Sequence, residues 1–111
     1  MLSKKHFVFQ ANVLGHHIIP MCIIKDQATG KHNWSQEKVD DYLELGRIIV
    51  NVCLAENPNF DLDKFNSQIQ TQARQSLHHR RLTRLIHDLP CLALTYHKFH
   101  ALGIAKERLV E

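Results

Sequence analysis

One stretch constrains this chain more than any other. From about Ser35 to Glu56 the apolar residues Val39, Tyr42, Leu43, Gly46, Ile49, Val50, Cys53 and Leu54 recur at helical spacing. Ser35 is an N-cap candidate, and Glu37, Asp40 and Asp41 fall in or near the first turns, where the helix dipole favours acids. Asn57-Pro58 stops the helix, because the residue before a proline is driven out of the α region. The whole chain has 111 residues, 44% apolar and 23% charged, so collagen, low-complexity and mostly disordered chains are excluded. A chain of this size buries roughly two-thirds of its unfolded surface. That supports one core in one domain over 1–111, but not a core plus a large substrate pocket and a cofactor domain. The expectation is a mostly α, non-enzymatic protein: a small bundle of three to four helices with a short β or extended segment within 16–33.

The flanking segments are less one-sided. Residues 3–14 fit a helix with Phe7, Ala11 and Leu14 on one face, but also alternate as Phe7, Phe9, Ala11 and Val13, and Gly15 ends either form. Pro20, inside the apolar run Ile18–Ile24, excludes a helix interior and demotes a strand to an edge position. Residues 25–34 read as a polar loop punctuated by Gly30. Asp61 or Asn59 caps a further helix carrying Leu62, Phe65, Ile69 and Ala73. At ~100° per residue that stripe points roughly 150° away from Leu82, Leu85, Ile86 and Leu89. Without a Gly or Pro to break it, one long or kinked helix with two contact faces is expected, ending at Asp88-Leu89-Pro90. Its second face suggests pairing with another copy as a homodimer. A last helix is expected over about Cys91–Leu102, with Gly103 at its C′ position.

Charge is concentrated in the second half. The chain carries a formal +3. From Lys64 to His87 there are five Lys/Arg and no acid. Within that stretch Arg74, His78, Arg80, Arg81 and Arg84 form the candidate binding set. On one helix Arg80 and Arg84 would stack at i, i+4, with Arg74, His78 and Arg81 on an adjacent strip. Guanidinium forks suit phosphates and acidic protein surfaces alike. No helix-turn-helix turn, zinc-finger spacing or aromatic RNA-binding motif accompanies them, so base-specific readout is not expected.

The other reactive side chains are sparse. His97 and His100, at i, i+3, are weaker candidates for metal ligands, with Cys91 six residues earlier. Neither Cys-x-x-Cys nor His-Glu-x-x-His is present, and no cofactor is expected. Cys91 follows Pro90 at a helix start, where a thiol is easier to ionise. Cys22, Cys53 and Cys91 are odd in number and widely spaced, as reduced core thiols are, which argues for a cytoplasmic protein. The opening residues hold no apolar run of signal-peptide length, and no run is long enough to span a membrane. Trp34 precedes the Ser35 cap as a hydrophobic staple would, packing on Val39 or Leu43.

Two motifs carry a resemblance. Ser3-Lys4-Lys5-His6-Phe7 and Asn57-Pro58-Asn59-Phe60-Asp61-Leu62-Asp63-Lys64-Phe65 are similar, in order and rough spacing, to small uncharacterised helical proteins of phages, plasmids and other mobile elements. The resemblance spans residues 3–14 and 35–67. It implies a helix over 3–14 and a mobile-element origin, and it carries no activity and no catalytic residues. The stretch 18–34 is longer and more β-like than the pattern. Together with the basic run, this predicts a binding protein that docks residues 74–84 on nucleic acid or on a host nucleoprotein complex. The alternatives are a protein–protein inhibitor of a host defence system, of the anti-CRISPR kind, and a small metal protein or enzyme using His97 and His100.

Overall fold

The computed structural model describes residues 4–92. Its elements in chain order are helix α1 (Lys4–Asn12), a π-helical segment (Val13–Ile18), a short helical turn α2 (Ile19–Met21), strands β1 (Ile23–Lys25) and β2 (His32–Trp34), helices α3 (Gln36–Glu56) and α4 (Leu62–His79), and a 3-10 helix (Thr83–Leu92). The mostly helical bundle with a small two-stranded sheet is the architecture expected from the sequence.

The two long helices start where their caps place them. Asp61 Oδ1 accepts the Lys64 N–H at 3.0 Å, and Ser35 Oγ accepts that of Lys38 at a longer 3.4 Å. Each cap satisfies one of the amides a helix start leaves without a partner. Asn57 closes α3 in an extended conformation at φ −145°. Phe60 then bridges the connection, its ring 5.0 Å from that of Phe7 and 5.1 Å from that of Phe65. This aromatic trio pins the start of α4 to α1.

Residues 4–21 run as one helical path, so Gly15 is not a terminus. A methyl group on Gly15 would collide with the Ile69 carbonyl oxygen and stand 2.9 Å from Cβ of Gln72. Only a residue without Cβ lets the two helices approach this closely. Around this contact the turn widens, with the Ile19 N–H bonding the Leu14 carbonyl five residues back. Pro20, expected to exclude a helix interior, instead sits in the last turn of this path, one residue before its end at Met21. The expected edge strand over 18–24 is therefore helical as far as Met21 and extended only from Ile23.

The loop expected at 25–34 is a hairpin. Ile23 pairs Trp34, Ile24 pairs Asn33 and Lys25 pairs His32, antiparallel. Asp26 turns the chain. Its N–H bonds the Lys31 carbonyl at 2.8 Å, and its carboxylate takes the Ala28 N–H at 2.9 Å. Gly30 supplies the left-handed residue, φ +73°.

Residues 62–89 are two helices, not one. The α4 helix ends in a Schellman motif, with the Leu82 N–H bonding the Leu77 carbonyl at 2.7 Å and the Arg81 N–H bonding that of His78 at 3.0 Å. Arg81 occupies the left-handed position, φ +59°, that glycine usually fills. The reversal brings the two out-of-phase stripes into one core. Phe65, Ile69, Ala73 and Leu77 from α4, and Leu85, Leu89 and Leu92 from the 3-10 helix, are all buried. The second stripe is thus spent internally, and the reason for expecting a homodimer goes with it. Pro90 lies inside the 3-10 helix rather than ending it. Most of the last predicted helix, including Gly103, lies outside the described residues.

The core is completed by Ala11, Leu14, Ile19, Cys22, Val39, Tyr42 and Val50, with Trp34 packed against it. Each large apolar side chain buried there contributes about 1.5–3 kcal/mol. Cross-contacts fix helix directions: Gln68 donates to Asn12 and the Cys53 thiol to Gln10, while the Cys22 thiol meets the Lys38 carbonyl. Residues 4–21 thus run antiparallel to α3 and alongside α4 in the same direction.

Candidate nucleic-acid interface

The predicted basic residues sit at one end of the molecule, around the end of α4. Arg74 and His78 lie one turn apart on its exposed side. Arg80 is the C-cap, Arg81 the left-handed residue after it, and Arg84 belongs to the 3-10 helix. All five are exposed. The expected i, i+4 stacking of Arg80 on Arg84 does not occur, because the helix has already ended. The cations form a corner instead of a stripe.

No carboxylate pairs with any of these four arginines among the described residues, where the ion pair found is Arg47 with Glu44 inside α3. Part of the corner's charge also serves the fold, since cations at a helix C-terminus complement the dipole.

Arg81 is the informative member. A non-glycine residue in the left-handed region costs roughly 1–2 kcal/mol, set here against the two backbone bonds of the Schellman motif it closes. Strain of this kind is where a functional hypothesis starts.

Arg84 has a second role. Its Nη2 donates to the His32 carbonyl at 3.0 Å, across 52 residues of sequence. His32 and Lys25 are a non-hydrogen-bonded pair of the ladder, since Asp26 bonds Lys31 and Ser35 bonds Cys22, and bonded pairs alternate along an antiparallel ladder. Its carbonyl therefore points out of the β2 edge, and the guanidinium caps it. Four of the five N–H groups on that guanidinium remain for other partners. The contact places the hairpin, with exposed Lys25 and Lys31, beside the arginine corner. Sequence reading missed these lysines because nothing local connects residues 25–32 to residue 84.

A second surface is apolar. Leu45, Ile48 and Val52 on α3 are 40%, 47% and 50% exposed, and their 3- and 4-residue spacing puts them on one face.

The Cys22 and Cys53 thiols are buried, and the side chain of Cys91 lies outside what the structure describes. Burial pushes Cys22 up to about 11, Lys38 opposing and Asp41 adding to the shift, and burial likewise raises Cys53. Tyr42 is raised too, by burial and then by Cys22. Among the described residues no cluster of three or more His, Cys, Asp or Glu side chains could hold a metal ion. His97 and His100 lie outside them. No helix among them is long and apolar enough to cross a membrane.

Comparison with known proteins returns nothing: no family model, curated protein or solved structure matches the chain.

Proposed function

We propose that this is a non-catalytic binding protein of a mobile element that docks on nucleic acid, or on a host nucleoprotein complex, through Arg74, His78, Arg80, Arg81 and Arg84. The observation that carries the reading is the Arg80–Arg81 corner. Two adjacent guanidiniums stand exposed, unpaired with carboxylates among the described residues, and one is held in a backbone conformation where glycine would be more stable. Such a corner meets phosphates by charge and by forked hydrogen bonds, without reading bases.

The test is binding of fluorescent nucleic acid across a salt series, for the parent protein and for the Arg80→Glu, Arg81→Glu double variant. Expected is a steep salt dependence in the parent, its logarithmic slope near 0.9 per phosphate engaged, and a large loss in the variant. Unchanged binding in a folded variant would overturn the reading.

A second reading, an inhibitor that binds a host defence protein, is favoured by the exposed row Leu45, Ile48 and Val52. It calls for a stoichiometric complex that survives nuclease and is lost on Ile48→Asp.

A further inference from the structure

We infer that the affinity of this face for phosphates is controlled by protonation of His78, His79 and His87, binding tightening as the pH falls from 8 to 5.5. The inference rests on the nucleic-acid reading above and adds a regulation to the same site.

From Arg74 to Asp88 the chain carries four arginines, three histidines and a single acid. All three histidines are exposed. His78 and His79 are the last residues of α4, directly before the Arg80 cap. His87 follows Arg84 by three residues in the 3-10 helix, whose three-residue turn brings positions i and i+3 onto one side. Each histidine thus stands beside an arginine: His78 one turn from Arg74, His79 next to Arg80, and His87 one turn from Arg84.

Histidine is the side chain that gains and loses charge between pH 5 and 8. Arginine and carboxylate groups keep theirs across that range. With the imidazoles neutral, four arginines less Asp88 leave three positive charges over residues 74–88, and three imidazoliums double that. Each imidazolium also presents two N–H donors. A bound phosphate in turn favours the charged imidazole. Proton and polyanion therefore strengthen each other's binding by the same factor.

The groups around the three histidines set the rest of the charge. Asp88 is exposed and adjoins His87, so it repels phosphate there until His87 is charged. The hairpin held by Arg84 brings Lys25, Lys31 and half-buried His32, while the carboxylate of Asp26 takes the Ala28 N–H. The start of α3 brings Lys38 with Glu37, Asp40 and Asp41. The helical path packed on α4 brings His16 and His17, and the buried Cys22 thiol, which stays protonated throughout. Of these neighbours, His16, His17 and His32 change charge in the same range, and the variants below separate them from the three proposed.

The experiment measures binding of an oligothymidine and of a short DNA duplex, each carrying a pH-insensitive dye, at pH 8 and 5.5 across a salt series. The bases of these probes hold no group that titrates in this range. The proteins are the parent, the triple variant His78→Gln, His79→Gln, His87→Gln, and His6→Gln, an exposed histidine near the opposite end of α4. The parent should bind at least about tenfold tighter at pH 5.5, with a logarithmic salt slope steeper by up to about 3, roughly one for each imidazolium that engages a phosphate. The triple variant should lose most of this response, and His6→Gln should keep it. A circular dichroism melt checks folding. Should the triple variant not fold, calorimetry of the parent at about pH 6.5, in two buffers of different ionisation enthalpy, decides: net proton uptake on binding is expected, and its absence overturns the inference. A parent whose affinity does not change with pH, or a response that the folded triple variant retains or that His6→Gln also abolishes, overturns the inference and leaves the nucleic-acid reading standing. A parent that binds neither probe at either pH overturns both.

Discussion

Gly15 lies so close to the carbonyl of Ile69 that a Cβ there would stand on the oxygen, an approach between two helices that no residue with a Cβ permits. Gly15→Ala should therefore destabilise although alanine is the better helix former. Overpacking costs about 1–3 kcal/mol, against a gain of about 1 kcal/mol in helix propensity. The obstacle is backbone and cannot rotate away. A thermal midpoint at or above the parent's would show that the helices separate without penalty.

Arg81→Gly should do the opposite. It relieves the left-handed strain of roughly 1–2 kcal/mol and returns part of that through the looser unfolded chain. A net gain of about 0.5–1 kcal/mol in denaturant unfolding is the expected outcome. Taken with weakened nucleic-acid binding, it would separate the residue's function from its structural role. A loss of stability would mean that the arginine makes a contact worth more than its strain.

Ser76 is buried in the core, and its hydroxyl finds no hydrogen-bond partner among the described residues. Ser76→Ala removes a desolvated polar group and improves helix propensity, so it should stabilise by about 1 kcal/mol. A destabilised variant would point to a water that the hydroxyl holds.

Cys22 gives a pH signature. Its thiol keeps its proton up to about 11 in the fold, against an ordinary 9.0. The folded form thus binds the proton more tightly than the unfolded one. The associated stability is fully present below pH 9 and drains away as pH rises towards 11. Cys53 is shifted in the same direction. Unfolding midpoints measured from pH 8 to 11 should fall, and Cys22→Ala should flatten the fall. Rapid alkylation of the native protein at pH 8 would contradict the burial.

Signals that act within one turn were legible in the sequence. Ser35 and Asp61 cap the helices they precede, Asn57-Pro58 closes α3, and the periodic residues Val39, Tyr42, Val50, Phe65, Ile69 and Ala73 are buried. What escaped depends on contacts distant in sequence or on backbone strain. The π segment follows from Gly15 meeting Ile69, a contact invisible in residues 3–24 alone. The end of α4 carries no glycine or proline, since an arginine takes the left-handed position. The candidate site followed the same rule. Its arginines stood in one run of sequence, but the hairpin lysines joined them only through Arg84 and His32.

The backbone spans 45 × 30 × 18 Å. Packed helix axes lie 8–10 Å apart and each helix carries its Cα atoms about 2.3 Å from its axis, so the short dimension holds two layers of helix and no third. Among the described residues none of the helices is enclosed on all sides. The seam between the layers is the dry part of the molecule, and every helix turns its other side outward. The row formed by Leu45, Ile48 and Val52 is thus on the outside by geometry, whatever its composition. Repacking the seam cannot draw it in. Only a further layer could make it dry, supplied by the chain beyond Leu92 or by another molecule.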